Sequence, residues 1–195
     1  MALPRNLKIK KDRVPSLLEG LRTLIDTEIL VGVPDENADR PPEDGVVEPL
    51  TNASLAYIHD TGMPEQNIPA RPFMLPGLER AKDKVAGQLV RGAKAMVAAA
   101  QAGRDPVAAA ESGLDAAGLL AVASIKMTIS DGVPPPLADA TVRNRARKGR
   151  KGAKEELKRR AAGEAPGTEL VKPLIDTGEM RTSITYVKRQ RRDRK

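Results

Sequence analysis

The sequence has no cysteine and no tryptophan, one phenylalanine (Phe73), two tyrosines (Tyr57, Tyr186) and a single histidine, His59. The missing cysteines exclude disulfides, thiol catalysis and thiolate metal sites. A lone histidine beside Asp60, with no matched nucleophile, offers no hydrolytic or metal-binding constellation and reads as a structural residue near a helix end. Few aromatics mean thin core layers, because much of the 40% apolar content is alanine. A chain with so few large side chains gains stability from an assembly partner. Long apolar runs are also missing. The most apolar window, Leu114 to Ile129, is interrupted by Asp115 and Lys126 and is too short to span a bilayer. The basic start "MALPRNLKIKKDR" has no apolar centre and is not a secretory signal. The expectation is a soluble protein without membrane contact.

Charge, by contrast, is plentiful. Lys and Arg number 33 against 26 Asp and Glu, for a net charge of +7. Much of the excess lies in two tracts. Residues 143–160 carry ten basic residues against Glu155 and Glu156, and the final eight, "KRQRRDRK", carry six basic residues and one acid. Such self-repelling tracts are expected to be arms (138–168 as an extended loop, 188–195 as a tail), disordered in the free subunit and available for assembly or for contact with DNA. Neither interleaves aromatics for base stacking.

Between the tracts, periodicity and punctuation mark the elements. "VPSLLEGLRTLID" (14–26) has helical apolar spacing with Pro15 tolerated in the first turn, and "TEILVGV" (27–33) is a short β-type run. The Pro- and acid-rich stretch 34–50 is a loop. Asn52 is the expected N-cap of a short helix that Gly62 ends. A long helix follows from about Phe73 or Pro76 to Ala102, its apolar face marked by Leu78, Val85, Leu89, Met96 and Val97. Asp105 and Pro106 open another, with Leu114, Gly118, Ala121, Ile125 and Ile129 in a stripe whose small members permit close helix packing. Pro134-Pro135-Pro136 is a helix stop or a stiff spacer. One weak helical stretch, 152–162, lies in the basic tract. A helix at 178–183, capped by Asp176 in a capping-box-like pattern with Glu179, then feeds a strand at 184–187 that pairs with 27–33. The fold class is α+β: one domain, 1–195, with two long Ala-rich helices and short helices packed on a small β-sheet.

Asp-Thr-Gly occurs twice, at Asp60 and Asp176, the second within "PLIDTGEM". Aspartic proteases use this tripeptide to bring two carboxylates together around one proton. Those enzymes need long alternating strands, whereas the centre of this chain is an Ala-rich helical pair. The flanks "AYIHDTGMPE" and "KPLIDTGEMR" are also unlike. Both copies read as helix-terminus signals. The pairs Asp35-Glu36 and Glu155-Glu156 are loop charges rather than acid–base or metal pairs, and "GRKGAK" lacks P-loop spacing.

Taken in order, "NASLAYIHDTG", "NIPARPFMLPGLE", "DGVPPPLADATVRNR" and "KPLIDTGEMRTSITYV" resemble the tail-completion or neck proteins of long-tailed bacteriophages, a group also described as virion morphogenesis or minor tail proteins. The resemblance spans residues 25–188, and the combination of "IPARPF" with "PLIDTG" is its most specific part. It implies a virion structural protein at the head–tail junction, assembled in the host cytoplasm as a ring of copies that contacts the tail terminator, the tail tube or the head connector. It implies no catalytic residues, metal or cofactor. The expected interface residues are Arg71, Pro72 and Phe73, in a proline-stiffened loop, with Asp176 and Met180. The plainer reading of Phe73 is that it anchors the following helix in the core. A different class of function, nucleic-acid binding through the two basic tracts, is the alternative.

Overall fold

The computed structural model describes residues 12–34 and 50–191. The expected loop at 34–50 and the end of the C-terminal tail therefore lie almost wholly outside the described residues. The fold is α+β: seven α-helices among the described residues and one two-stranded antiparallel sheet. The chain runs α1 (Val14–Asp26), β1 (Thr27–Gly32), α2 (Asn52–Thr61), α3 (Met74–Ala102), α4 (Pro106–Asp131), α5 (Asp139–Arg147), α6 (Ala153–Ala161), α7 (Glu179–Ser183) and β2 (Thr185–Gln190). The sheet pairs β1 with β2, as the two β-type runs suggest.

Local chemistry sets the boundaries. The Asp105 carboxylate accepts the N–H groups of Val107 (2.8 Å) and Ala108 (3.3 Å), and Pro106 fills the first position of α4. At α2 the cap lies one residue earlier than the sequence suggests. Thr51 Oγ1 accepts the Ser54 N–H at 3.1 Å, and Asn52 is the first helical residue, buried. Gly62 ends α2 at φ 81°. There, a Cβ would lie 2.7 Å from the Ala70 nitrogen, so glycine answers both the left-handed backbone and the close approach.

Contacts divide the described residues into two compact units, and both long helices contribute to each. The first is drawn, among the described residues, from 12–29, Lys84–Ala117 and 188–191. Its interior is made of small residues. The Cβ of an alanine at Gly92 would sit 2.8 Å from Gly113 Cα, and one at Gly113 only 2.6 Å from Gly92 Cα. The α3 and α4 backbones are thus in direct contact there. Gly20 of α1 faces Met96 in the same way, with 3.0 Å of room for a Cβ. Around these glycines Met96, Ala99, Ala100, Ala110, Leu114 and Ala117 are buried. The apolar face expected for α3 is corrected by this packing. Leu78, Leu89 and Val97 are exposed, and the buried positions are Gly77, Ala81, Gly92, Met96, Ala99 and Ala100. Close helix approach selects the smallest side chains for the contact and turns the bulkier ones outward.

The second unit, among the described residues 30–34, 50–83 and Gly118–Val187, holds the main core: Phe73, Val122, Ile125, Ile129, Leu174, Met180 and Ile184 are buried together. Gly77 lies against the backbone of Ile125, and Gly118 against the Tyr186 ring. The 26-residue α4 is long and apolar enough, by length and composition, to cross a membrane, longer than the apolar window read from sequence. Ala110, Leu114, Ala117, Ala121, Val122, Ile125 and Ile129 of this helix are buried within the protein, whereas Leu119 and Met127 are exposed.

The basic region 138–168 departs most from expectation. It is not an extended arm but a helical hairpin with its own small core of Leu137, Val142, Ala153 and Val171: α6 falls within the helical stretch read at 152–162, and α5 was not anticipated. Its second ordering element is ionic. Glu156, 1% exposed, accepts from Arg160 Nε (2.9 Å) and the Gly167 N–H (3.1 Å), while Arg160 also donates to the Leu137 carbonyl and to Asp139. Burial alone would raise the Glu156 pKa. The Gly167 N–H and the Arg160 and Arg159 charges outweigh it and hold the carboxyl below its usual value. The C-terminal tail is corrected in part as well. Lys188 to Gln190 belong to β2, Lys188 pairs with Asp115 at 2.9 Å, and Arg189 pairs with Glu28 at 3.0 Å.

Candidate functional site

The two Asp-Thr-Gly segments organise the loops of the second unit, each in its own way. Asp60, in the last turn of α2, turns its carboxylate toward the start of α3 and accepts the N–H groups of Phe73 (2.7 Å) and Met74 (3.0 Å). It caps a helix other than its own. The intervening loop is fastened from both sides. The Arg71 N–H donates to the His59 carbonyl at 2.7 Å, and the Arg71 guanidinium reaches the carbonyls of Pro135 (3.0 Å) and Pro136 (3.3 Å). The triple proline therefore presents acceptors to Arg71, beyond stopping α4.

These contacts place the expected interface residues. Arg71 is 5% exposed and Phe73 fully buried, so Arg71 is corrected from a surface contact to an internal strut, and Phe73 is the core anchor of α3. Met180 is buried too, while Pro72 and Asp176 reach the surface. A buried guanidinium whose donors meet carbonyls has little left to offer a neighbouring subunit.

Asp176 does not cap α7. The residue preceding that helix is Gly178, at φ 90°, and the Glu179 N–H reaches Thr177 Oγ1 at 3.4 Å. The carboxylate faces two arginines of the α5–α6 hairpin, accepting from Arg150 Nε at 3.0 Å and Nη2 at 3.4 Å, with Arg145 Nε at 3.6 Å. Arg145 also donates to the carbonyls of Lys172 (2.8 Å), Ile175 (2.8 Å) and Pro173 (3.2 Å). Charged donors of this kind are the strong hydrogen bonds of the loop, and they draw Asp176 away from the helix terminus its sequence position suggests. Sequence reading missed Arg145 and Arg150 because nothing distinguishes them from the other cations of their tract.

His59 and the Asp176 loop come together around a cavity of ≈ 140 Å³ lined by Leu55, His59, Arg145, Leu174, Asp176 and Met180, among others. Burial, with the Arg71 and Arg145 charges, holds the His59 pKa below its usual 6.5, so the imidazole is neutral near pH 7. Its Nδ1 is buried without a hydrogen-bond partner. Burial likewise lowers the pKa values of Arg71 and Arg145, and each guanidinium retains its charge. The two aspartates have separate donors, backbone N–H groups for Asp60 and guanidinium groups for Asp176, and their contacts describe no shared proton. Among the described residues no group of three or more His, Cys, Asp or Glu side chains could hold a metal ion.

A second candidate lies on the first unit and was not marked by any motif. Among its described Val, Leu, Ile and Met side chains two are buried, Met96 and Leu114. Seven are exposed: Val14, Leu18, Leu21 and Ile25 on α1, and Leu89, Val90 and Val97 on α3. The four on α1 follow steps of four, three and four residues, so they form one stripe along the helix. Beside it Val14 and Leu17 face Val97 and Ala100 across a groove of ≈ 450 Å³. The helical spacing of 14–26 was legible in the sequence. That Gly20, rather than a leucine, is its buried contact was not.

No family model matches the chain, and no curated protein or solved structure matches it either.

Proposed function

We propose that this chain is a structural subunit of the head–tail junction of a long-tailed phage, working as an oligomeric ring that joins tail to head. The observation that carries the reading is the inverted burial of the first unit, which among its described Val, Leu, Ile and Met side chains exposes seven and buries two. An exposed stripe at alternating steps of three and four residues fits another helix better than it fits solvent. A second copy of the chain is the partner proposed for it. The resemblance of the "IPARPF" and "PLIDTG" segments to tail-completion proteins supplies the location, with the tail terminator, tail tube or head connector as neighbours. In this reading the chain is not an enzyme. The roles of Asp60, Asp176 and Arg71 in fastening loops support that, since all three side chains are engaged in structural contacts.

Light scattering of the purified full chain across a concentration range tests the reading. The wild type is expected to form a discrete multimer, and Leu18→Asp with Leu21→Asp to give a monomer that keeps its helical circular dichroism. In a phage carrying the double variant, electron microscopy is expected to show unjoined heads and tails. A wild-type chain that stays monomeric at every concentration, or a variant that assembles normally, overturns the proposed interface.

A further inference from the structure

The turn between α5 and α6 has a charge pattern that the joining role does not require. From Arg143 to Lys154 the chain carries seven basic residues and no acidic one. Two of them, Arg145 and Arg150, are engaged by Asp176. The other five, Arg143, Arg147, Lys148, Lys151 and Lys154, are exposed, and none forms an ion pair among the described residues. Further along α6 the cations are matched: Lys158 with Glu155, and Arg159 and Arg160 with Glu156, Glu164 and Asp139. The unmatched charge is thus confined to the end of α5, the turn and the first turn of α6.

This surface is held in place before any partner arrives. Val142 and Ala153 are fully buried on either side of the turn. The turn itself is closed by the Arg150 N–H to the Arg145 carbonyl (2.9 Å) and the Gly149 N–H to the Ala146 carbonyl (3.1 Å). Gly149 has nothing within 4 Å of where a Cβ would stand, so the backbone is open to close approach. A backbone already closed by these bonds has little entropy of its own to lose on docking.

The chemistry of the surface selects the partner. The exposed residues between 143 and 154 are Arg143, Asn144, Arg147, Lys148, Gly149, Lys151 and Lys154, with no apolar or aromatic side chain among them. A bilayer-binding face needs apolar side chains to insert, and a protein interface needs an apolar or aromatic centre. Single strands are held by stacking on aromatics. A cluster of exposed cations without any of these matches a phosphate backbone. We infer that the α5–α6 turn docks on the backbone of duplex DNA through these five cations, without reading base sequence. The inference stands independently of the joining role.

Fluorescence anisotropy of the full chain with two short duplexes of unrelated sequence, titrated over a range of NaCl, tests it. Each phosphate contact contributes about −0.9 to the slope of log K against log[salt]. Lys148→Gln with Lys151→Gln is expected to make the slope less negative by about 1.8 for both duplexes alike. The pair Lys84→Gln with Lys94→Gln, exposed cations of α3, is the control and is expected to leave it unchanged. Circular dichroism checks that each variant is folded. Absence of duplex binding at low salt overturns the inference, as does an unchanged slope in the Lys148/Lys151 variant. Tighter binding to single strands or to anionic vesicles, lost in that same variant, overturns it in favour of another polyanion. Light scattering on the same samples reports assembly separately, so failure of DNA binding and failure of the joining role are distinguishable.

Discussion

The carboxylate of Asp60 accepts the backbone N–H of Phe73 at 2.7 Å, linking the end of one helix to the start of the next and the first Asp-Thr-Gly segment to the largest fully buried side chain among the described residues. Removing that acceptor leaves the N–H groups of Phe73 and Met74 without it. Asp60→Ala is expected to destabilise the protein by about 1–2 kcal/mol, and Asp60→Asn by much less, because asparagine caps comparably. Denaturant titration of both variants measures the difference, and equal losses would remove the capping role.

The contact between Gly92 and Gly113 gives a prediction with an internal contrast. Gly92→Ala places a methyl group 2.8 Å from a backbone carbon that has no rotamer by which to yield. It is expected to cost about 1–3 kcal/mol. Gly87→Ala, on the same helix, meets only the mobile end of Arg91 at 3.7 Å and is expected to stabilise by about 0.4–1 kcal/mol. Thermal melts of the two variants should move in opposite directions.

Glu156 is the buried centre of the α5–α6 network. Glu156→Ala takes one carboxylate from Arg160, which keeps Asp139 and the Leu137 carbonyl, and leaves the Gly167 N–H without its acceptor; it is expected to cost about 1–3 kcal/mol. Hydrogen exchange should report the loss first in 139–161. If those amides keep their protection, the hairpin is held by its apolar core alone.

The pH dependence near neutrality has a definite sign. The folded protein holds His59 below its usual pKa of 6.5, so the unfolded chain binds the proton more readily. Stability should therefore rise with pH up to about 6.5 and fall as pH drops below it. Facing His59 are the cations Arg71 and Arg145, with Asp176 also lining the cavity. Melting temperatures from pH 5 to 8 are expected to show a decline on the acid side that is smaller in His59→Gln. The same decline in both proteins would assign it to other groups.

Much of this fold was legible in the sequence where a single strong local signal decided the outcome. Pro106 after Asp105 fixed the start of α4, Gly62 the end of α2, and apolar spacing the extent of α1. Of the α5–α6 hairpin only α6 showed, as the stretch 152–162; α5 and the pairing were hidden because the core residues Leu137, Val142, Ala153 and Val171 are scattered through a charged tract, and half of them lie outside the two helices. Arg71 misled for a related reason. Its burial depends on two proline carbonyls more than sixty positions away in the chain, a pairing that no local pattern encodes. The packing face of α3 was misread because hydrophobicity scales rank leucine above alanine, whereas backbone proximity ranks them in the opposite order.

The pairing of β1 with β2 has a consequence for how the chain is made. Arg189 and Glu28, which bridge the two strands, are separated by 161 positions. Contacts at such separation form late, and a ribosome delivers residues in order. The first strand must wait with an open hydrogen-bonding edge while α2 to α7 are synthesised, which makes it the segment most in need of protection in the nascent chain. Ribosome-stalled chains ending before Thr185 should accordingly aggregate more readily than chains released past Arg191.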